Sequence, residues 1–402
     1  MLNKTKEKRY VLGIYSLSII TILSKPLMNV FFRTNVYLWI NLICYFIIAY
    51  YFYRLYSNHS LCKLTAKLWG GLIVSIASML WRAEWPTDIQ YLIFSIITAD
   101  GVINYIQPLL FLFLPAIKYK KDILRIFFFG AIMTIPLWIF SPEPLVQDSY
   151  KGEFIGIFLP FFAAFLLGLP QYFSKKQFLL IIIIWLVYTI LMLLNARRNV
   201  SFSLIIYAMI AYIIVNLINI KKHFTRFVFS VLIIIIAGTV VSVYWDSLKS
   251  DTFNRISNRI NDNTRDVPNE LFWLDFSQSS IDEWIIGRGM QGGYYQVIKD
   301  EKTGEISDNR QIIETGYLFL LMKGGLLYVI MIVYLMIMAI KRGFKAKEFD
   351  NKYIALILCT YFIDFYTTSP LQYFGVRSLL FWFMINYLLT DRKQNNIQTI
   401  TR

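Results

Sequence analysis

The sequence predicts an all-α polytopic membrane protein, with about twelve spanning helices and one large loop on the non-cytoplasmic side that contains short helices. Three observations predict it. Hydrophobic residues make up 57% of the 402 positions and charged residues 16%, with a mean hydropathy of +0.53; soluble domains sit near about 45–50% and 25%. The apolar residues come in runs of roughly 20, the length that crosses a bilayer. Lysine and arginine gather in alternate loops, the pattern that fixes membrane orientation. A disordered chain and a water-soluble core are excluded. The aromatic content of 17% suits interfacial belts.

The runs lie near 10–30, 36–53, 64–81, 96–117, 123–140, 154–173, 177–194, 200–218, 227–244, 316–340, 353–368 and 373–390. The first follows Lys4–Arg9 like a signal peptide, but no small-residue cleavage site comes after it, so it reads as a retained span. The fourth is the most polar: the stretch 89–117 carries Asp100, Asn104 and Gln107, which leaves room for a surface helix ahead of the span. Loops on one side of this layout hold 24 of the 40 basic residues, which places that side and both termini in the cytoplasm. The net charge of +15 is therefore read as topology and not as a nucleic-acid partner. Three cysteines are too few for a disulfide framework. The chain divides into a bundle of nine spans at 1–244, a hydrophilic loop at 245–315 capping the bundle, and three spans with a tail at 316–402. Within the loop, 270–286 reads as an amphipathic surface helix through Leu271, Phe272, Trp273, Leu274, Phe276, Trp284 and Ile285. The alternative is that the loop is a passive insert.

Basic residues differ in kind between the two sides. On the loop side 10 of 16 are arginine: Arg33, Arg82, Arg197, Arg198, Arg255, Arg259, Arg265, Arg288, Arg310 and Arg377. Guanidinium grips phosphate through two hydrogen bonds and stays charged, so this enrichment suits a phosphorylated or carboxylated ligand. Ordinary ion pairing is the alternative, since 245–313 holds twelve acids against eight bases. Arg197 and Arg198 stand together in a tight turn between two spans, where they bind a ligand or snorkel to headgroups. Arg255 and Arg259 share a face if helical. Lys323, read as lying two turns inside a span, lines a cavity or pairs. The only histidines, His59 and His223, fall in cytoplasmic loops, and the loop has no Asp-x-Asp pair, so neither a histidine base nor a bound metal is indicated. Glu314 directly precedes a span, where partial burial would suit acid–base work and a solvated helix cap is the alternative. Gly287-Arg288-Gly289 lacks a preceding strand, which rules out a nucleotide loop.

This layout resembles the O-antigen polymerase and O-antigen ligase superfamily of bacterial envelope glycan assembly. The resemblance covers nearly the whole chain in outline and about thirty residues in motif. Arg197-Arg198-Asn199 is similar to a Ser-Arg-Gly element that opens a span. Gly287-Arg288-Gly289 matches a Gly-x-Gly element late in the periplasmic loop. Glu314-Thr315-Gly316-Tyr317-Leu318, with Gly325 beyond, stands where the ligase branch has His-Asn-x-x-Leu. The missing histidine favours the polymerase branch. The resemblance implies metal- and cofactor-independent glycosyl transfer in the bacterial inner membrane, between polyprenyl-diphosphate-linked oligosaccharide donor and acceptor, with a chain-length regulator protein as a further partner. It implies Glu314, Arg198 and Arg288 as catalytic, and Arg197, Arg255, Arg259, Arg265, Arg310, Arg377, Lys323 and Tyr317 as substrate-binding. A glycan ligase and a lipid-glycan flippase are the alternative activities.

Overall fold

The computed structural model describes residues 4–31, 36–62, 66–83, 85–97, 101–140, 159–194, 200–215, 265–299, 306–372 and 374–390. The predicted span at 227–244 lies outside these. The described chain is predominantly helical. Its helices are α1 (Lys4–Phe31), α2 (Val36–Ser57), α3 (Ala66–Trp81), α4 (Ile89–Ile97), α5 (Val102–Phe113), α6 (Lys120–Ile132), α7 (Thr134–Phe140), α8 (Pro160–Leu166), α9 (Lys175–Leu194) and α10 (Val200–Val215). After them come α11 (Asp266–Phe276), α12 (Ile281–Ile286), α13 (Gly316–Lys345), α14 (Phe349–Thr367) and α15 (Val376–Leu389). Among the described residues three helices are long and apolar enough to cross a bilayer: Val36–Ser57, Lys175–Met192 and Gly316–Lys345. A fourth candidate is the pair Val102–Phe113 and Ala116–Leu137, bent by 75°. Along α2, Trp39, Ile43, Phe46, Tyr50 and Tyr53 recur every three or four residues and are all exposed, an apolar face suited to lipid.

The most enclosed helix is α15, in which every residue from 376 to 389 is buried. It packs against α5, α8, α13 and α14. Where α5 stops before Pro115, its last carbonyls lose their helical partners. The Asn386 side-chain amide of α15 donates to Phe111 O and Leu112 O at 2.8 Å and to Leu114 O at 2.9 Å, so one buried side chain closes the bend. At the opposite end from 265–313, Asp350 at the start of α14 accepts from Lys120 Nζ at 2.6 Å, Tyr172 Oη at 2.5 Å and Gln171 Nε2 at 2.6 Å. That cluster ties α6, the 3₁₀ turn Pro170–Tyr172 and α14 together.

The sequence-predicted outline is corrected in four places. The chain is not wholly α: β1 (Tyr294–Lys299) and β2 (Ile306–Arg310) pair antiparallel, Tyr294 opposite Arg310, with a bulge between Tyr295 and Ile298. The β-branched and aromatic residues of Tyr294–Ile298 favour a strand there. The single surface helix at 270–286 is two, α11 and α12, parted by Ser277-Gln278-Ser279-Ser280, which are poor helix-interior residues. The stretch 89–117 does hold a separate short helix, α4, ahead of α5, as its polar residues allowed, whereas the span at 123–140 is broken into α6 and α7. The span at 316–340 is broken at Gly325, whose φ of 66° and ψ of −171° are not helical.

Asn386→Ala is expected to orphan buried carbonyls, each costing about 1–3 kcal/mol. The thermal midpoint in detergent should fall by several degrees, and an unchanged midpoint would mean that other donors close the bend. The cluster around Asp350 is a second brace. Asp350→Asn removes the charge that Lys120 faces and is expected to lower the thermal midpoint in detergent; an unchanged midpoint would mean that other contacts hold α6 to α14.

Candidate functional site

The site is built on the break in α13. When a helix is interrupted, the carbonyls before the break lose their donors. Here the segment after α12 supplies them: Arg288 N donates to Met322 O at 2.8 Å and Gly289 N to Lys323 O at 3.1 Å. Glycine is required on both sides of this contact. Gly287 has φ of 76° and a Cβ there would lie 2.5 Å from Lys323 C and O; a Cβ on Gly325 would lie 2.3 Å from Ile285 O. Lys323 completes the junction, its Nζ donating to Met290 O and Gly292 O at 2.8 Å each. Arg82, just after α3, holds the same segment through Gly287 O and an ion pair with Asp282.

The break falls inside Gly316–Lys345, a 30-residue apolar helix long enough to cross a bilayer, and Lys323 stands two residues before it.

A cavity of about 150 Å³ opens beside this junction. Its polar lining comes from Ser95, Tyr105, Gln291, Gln311, Lys323 and Gln372, and Met290, Ile312 and Phe319 supply apolar surface. Its described lining residues include no carboxylate. Among the described residues no cluster of His, Cys, Asp and Glu side chains could hold a metal ion.

The predicted site residues are dispersed. Arg197, Arg198, Arg255 and Arg259 lie outside the described residues. Arg288, whose side chain is only 17% exposed, ion-pairs with Asp275 and with Glu283 at 3.1 Å, donates to Gly293 O at 2.7 Å and Ser279 Oγ at 2.6 Å, and covers the Phe276 ring. Two carboxylates already meet its charge, so it is a scaffold residue that fixes α11, α12 and the glycine segment. Glu314 is 58% exposed and pairs with Arg265 at 3.1 Å, so the burial expected of an acid–base group is missing. Its neighbour Thr315 takes the N-cap of α13 and bonds Asn269. Arg265 and Asp275 stand at opposite ends of α11, about 15 Å apart at 1.5 Å per residue. Glu314 and Arg288 consequently belong to different places. Arg310 bonds Gln296 across the hairpin at 2.9 Å. Tyr317 packs on Phe365 and reaches Phe362 O.

Arg377 is buried in the bundle. It pairs with Asp364 at 2.7 Å, both side chains 4% exposed, and donates to Thr368 Oγ1 at 2.9 Å; Ser203 Oγ donates to Asp364 at 2.7 Å. This joins α10, α14 and α15, an internal bracing role for a residue the resemblance implies as substrate-binding. Asp364 had a signal in the sequence, an acid inside an apolar run. Of the predicted site residues that the structure describes, only Lys323 lines the cavity. Gln291, Gln311 and Gln372 carry no such signal, coming from three separate connections. Compared with known protein families, curated proteins and solved structures, the chain matches none.

Removing one partner of a buried pair strands the other charge, at a cost of about 3–5 kcal/mol, whereas replacing both with apolar residues is often neutral. Arg377→Leu and Asp364→Leu are each expected to lower folded yield in membranes, and the double variant to recover it. If the double variant were as poorly folded as the singles, the pair would hold more than each other.

Proposed function

We propose that the protein is a glycosyl transferase of the bacterial inner membrane that polymerises polyprenyl-diphosphate-linked oligosaccharide repeat units at the outer face. In this reading about twelve helices span the bilayer, both termini are cytoplasmic, and residues 245–315 form the periplasmic loop. The observation that carries it is the position of the cavity. It opens at the break in α13, within a candidate spanning helix and beside the glycine segment of the proposed periplasmic loop, and Lys323 is part of its wall. A lipid-linked substrate would present the junction between its diphosphate and its first sugar where bilayer and loop meet.

The chemistry asks little beyond placement and charge. A diphosphate is already a good leaving group, so the work is to hold it and to align the attacking hydroxyl. Arg288 and Arg377 are committed to partners inside the fold. The diphosphate then falls to Arg197 and Arg198, and to Arg265, whose exposed pair with Glu314 is worth at most about 1 kcal/mol and is exchangeable. When the incoming diphosphate takes Arg265, Glu314 is released to accept the hydroxyl proton. The lipid chain lies against the apolar helices.

Lys323→Met keeps the length of the side chain and removes the charge that anchors the glycine segment. It is expected to reduce polymer on a glycan gel at least tenfold at normal membrane abundance, and an unaltered ladder would remove Lys323 from the site. A deletion strain tests the activity itself. A polymerase defect leaves single capped repeat units. A ligase defect leaves no capped glycan and accumulates the lipid-linked form, and a flippase defect holds the lipid-linked unit on the cytoplasmic leaflet. Either of the last two results would replace the polymerase reading.

A further inference from the structure

We infer that the cavity beside Lys323 is a subsite for one neutral sugar ring of the acceptor, read through Gln291, Gln311 and Gln372, and that the diphosphate is held elsewhere. The inference rests on the glycan reading above and specifies which part of the substrate this cavity takes.

The lining argues for hydroxyls. The amides of Gln291, Gln311 and Gln372 and the hydroxyls of Tyr105 and Ser95, several of them already engaged within the fold, are neutral groups of the kind that both give and take hydrogen bonds. An anion would call for converging cations or guanidinium forks. None of the arginines seen in the structure lines the cavity, and Lys323 already directs hydrogen bonds to Met290 O and Gly292 O. Phe319, Met290 and Ile312 offer apolar surface to the C–H face that a sugar ring carries beside its hydroxyls. The cavity, of about 150 Å³, is open on one side, so a ring can seat against its wall with its remaining substituents outside.

The wall behind the cavity is fixed within the fold. Asn104, between the lining residues Gly101 and Tyr105, donates through Nδ2 to Gln372 O at 2.9 Å and Leu371 O at 3.4 Å, which holds the connection that carries Gln372.

The test uses the full-length protein in nanodiscs, with methyl glycosides of neutral hexoses and N-acetylhexosamines and with inorganic diphosphate as probes. Saturation-transfer NMR is expected to show binding of at least one glycoside that diphosphate does not displace. Gln372→Leu and Gln311→Met should each weaken that binding at least tenfold while the thermal midpoint stays near wild type. Two variants are used so that a folding defect in one does not decide the matter. Displacement of the glycoside by diphosphate, binding of no neutral glycoside, or unchanged affinity in both variants would overturn the inference. The two proposals fail separately. Glycoside binding lost in both glutamine variants, together with an intact polymer ladder in the deletion strain, would leave the sugar subsite standing and end the polymerase reading. A ladder lost on deletion but normal in both glutamine variants, with no glycoside bound, would do the reverse.

Discussion

A helix broken inside an apolar bundle must find new donors for the carbonyls it frees, because no water stands ready to replace them. At Gly325 those donors are the backbone N–H groups of Arg288 and Gly289. The rest of the loop end follows from this one pairing. It brings α12 against α13, fixes where Lys323 Nζ can reach, and leaves the cavity beside the seam. The glycines at 287 and 325 are the positions where the two backbones approach too closely for a side chain. Asn386 plays the same part at the bend after α5, with a side chain in place of a second backbone.

Charge obeys the same rule as the backbone. The buried cations are each met within the fold: Arg377 by Asp364, Lys120 by Asp350, and Arg288 by Asp275 and Glu283. Arginine suits such places because its fork satisfies several partners at once. An excess of arginine on one side of a membrane protein therefore has two sources, ligand recognition and internal bracing, and composition alone does not separate them. The Arg265–Glu314 pair differs in being exposed, which makes it weak and exchangeable, whereas the buried pairs are costly to open.

The helices were legible where an apolar run is uninterrupted. The runs at 36–53, 177–194, 353–368 and 373–390 became α2, α9, α14 and α15, with ends shifted by a few residues. The break in α13 was not legible. Lys323-Gly324-Gly325 in an apolar run reads equally as close helix packing, and what decides is Gly287, which the chain places far away in sequence. The pairing of Arg377 with Asp364 was half legible: each is a charge in an apolar run, but only packing shows that the two runs are neighbours. The hairpin was obscured by the hydrophilic turn between its short strands. The cavity was the least legible part, since Gln291, Gln311 and Gln372 share no spacing and are indistinguishable from loop glutamines until the fold assembles them.

The separation of braced arginines from an amide-lined cavity has a physical logic. A cation lining a cavity at membrane depth raises the cost of leaving that cavity empty, because its charge must then be solvated by whatever enters. Here Lys323 is solvated by two backbone carbonyls of the docked segment, so the cavity wall carries a positive group whose needs are met before any ligand arrives. In the proposed sugar subsite, discrimination would then fall to the neutral amides and hydroxyls of the lining. Charge recognition, if it is to release its ligand, belongs where pairs are exposed and cheap to exchange, as at Arg265 and Glu314. In the proposed reading the break in α13 would serve both, since the segment that repairs the helix also engages the Lys323 charge.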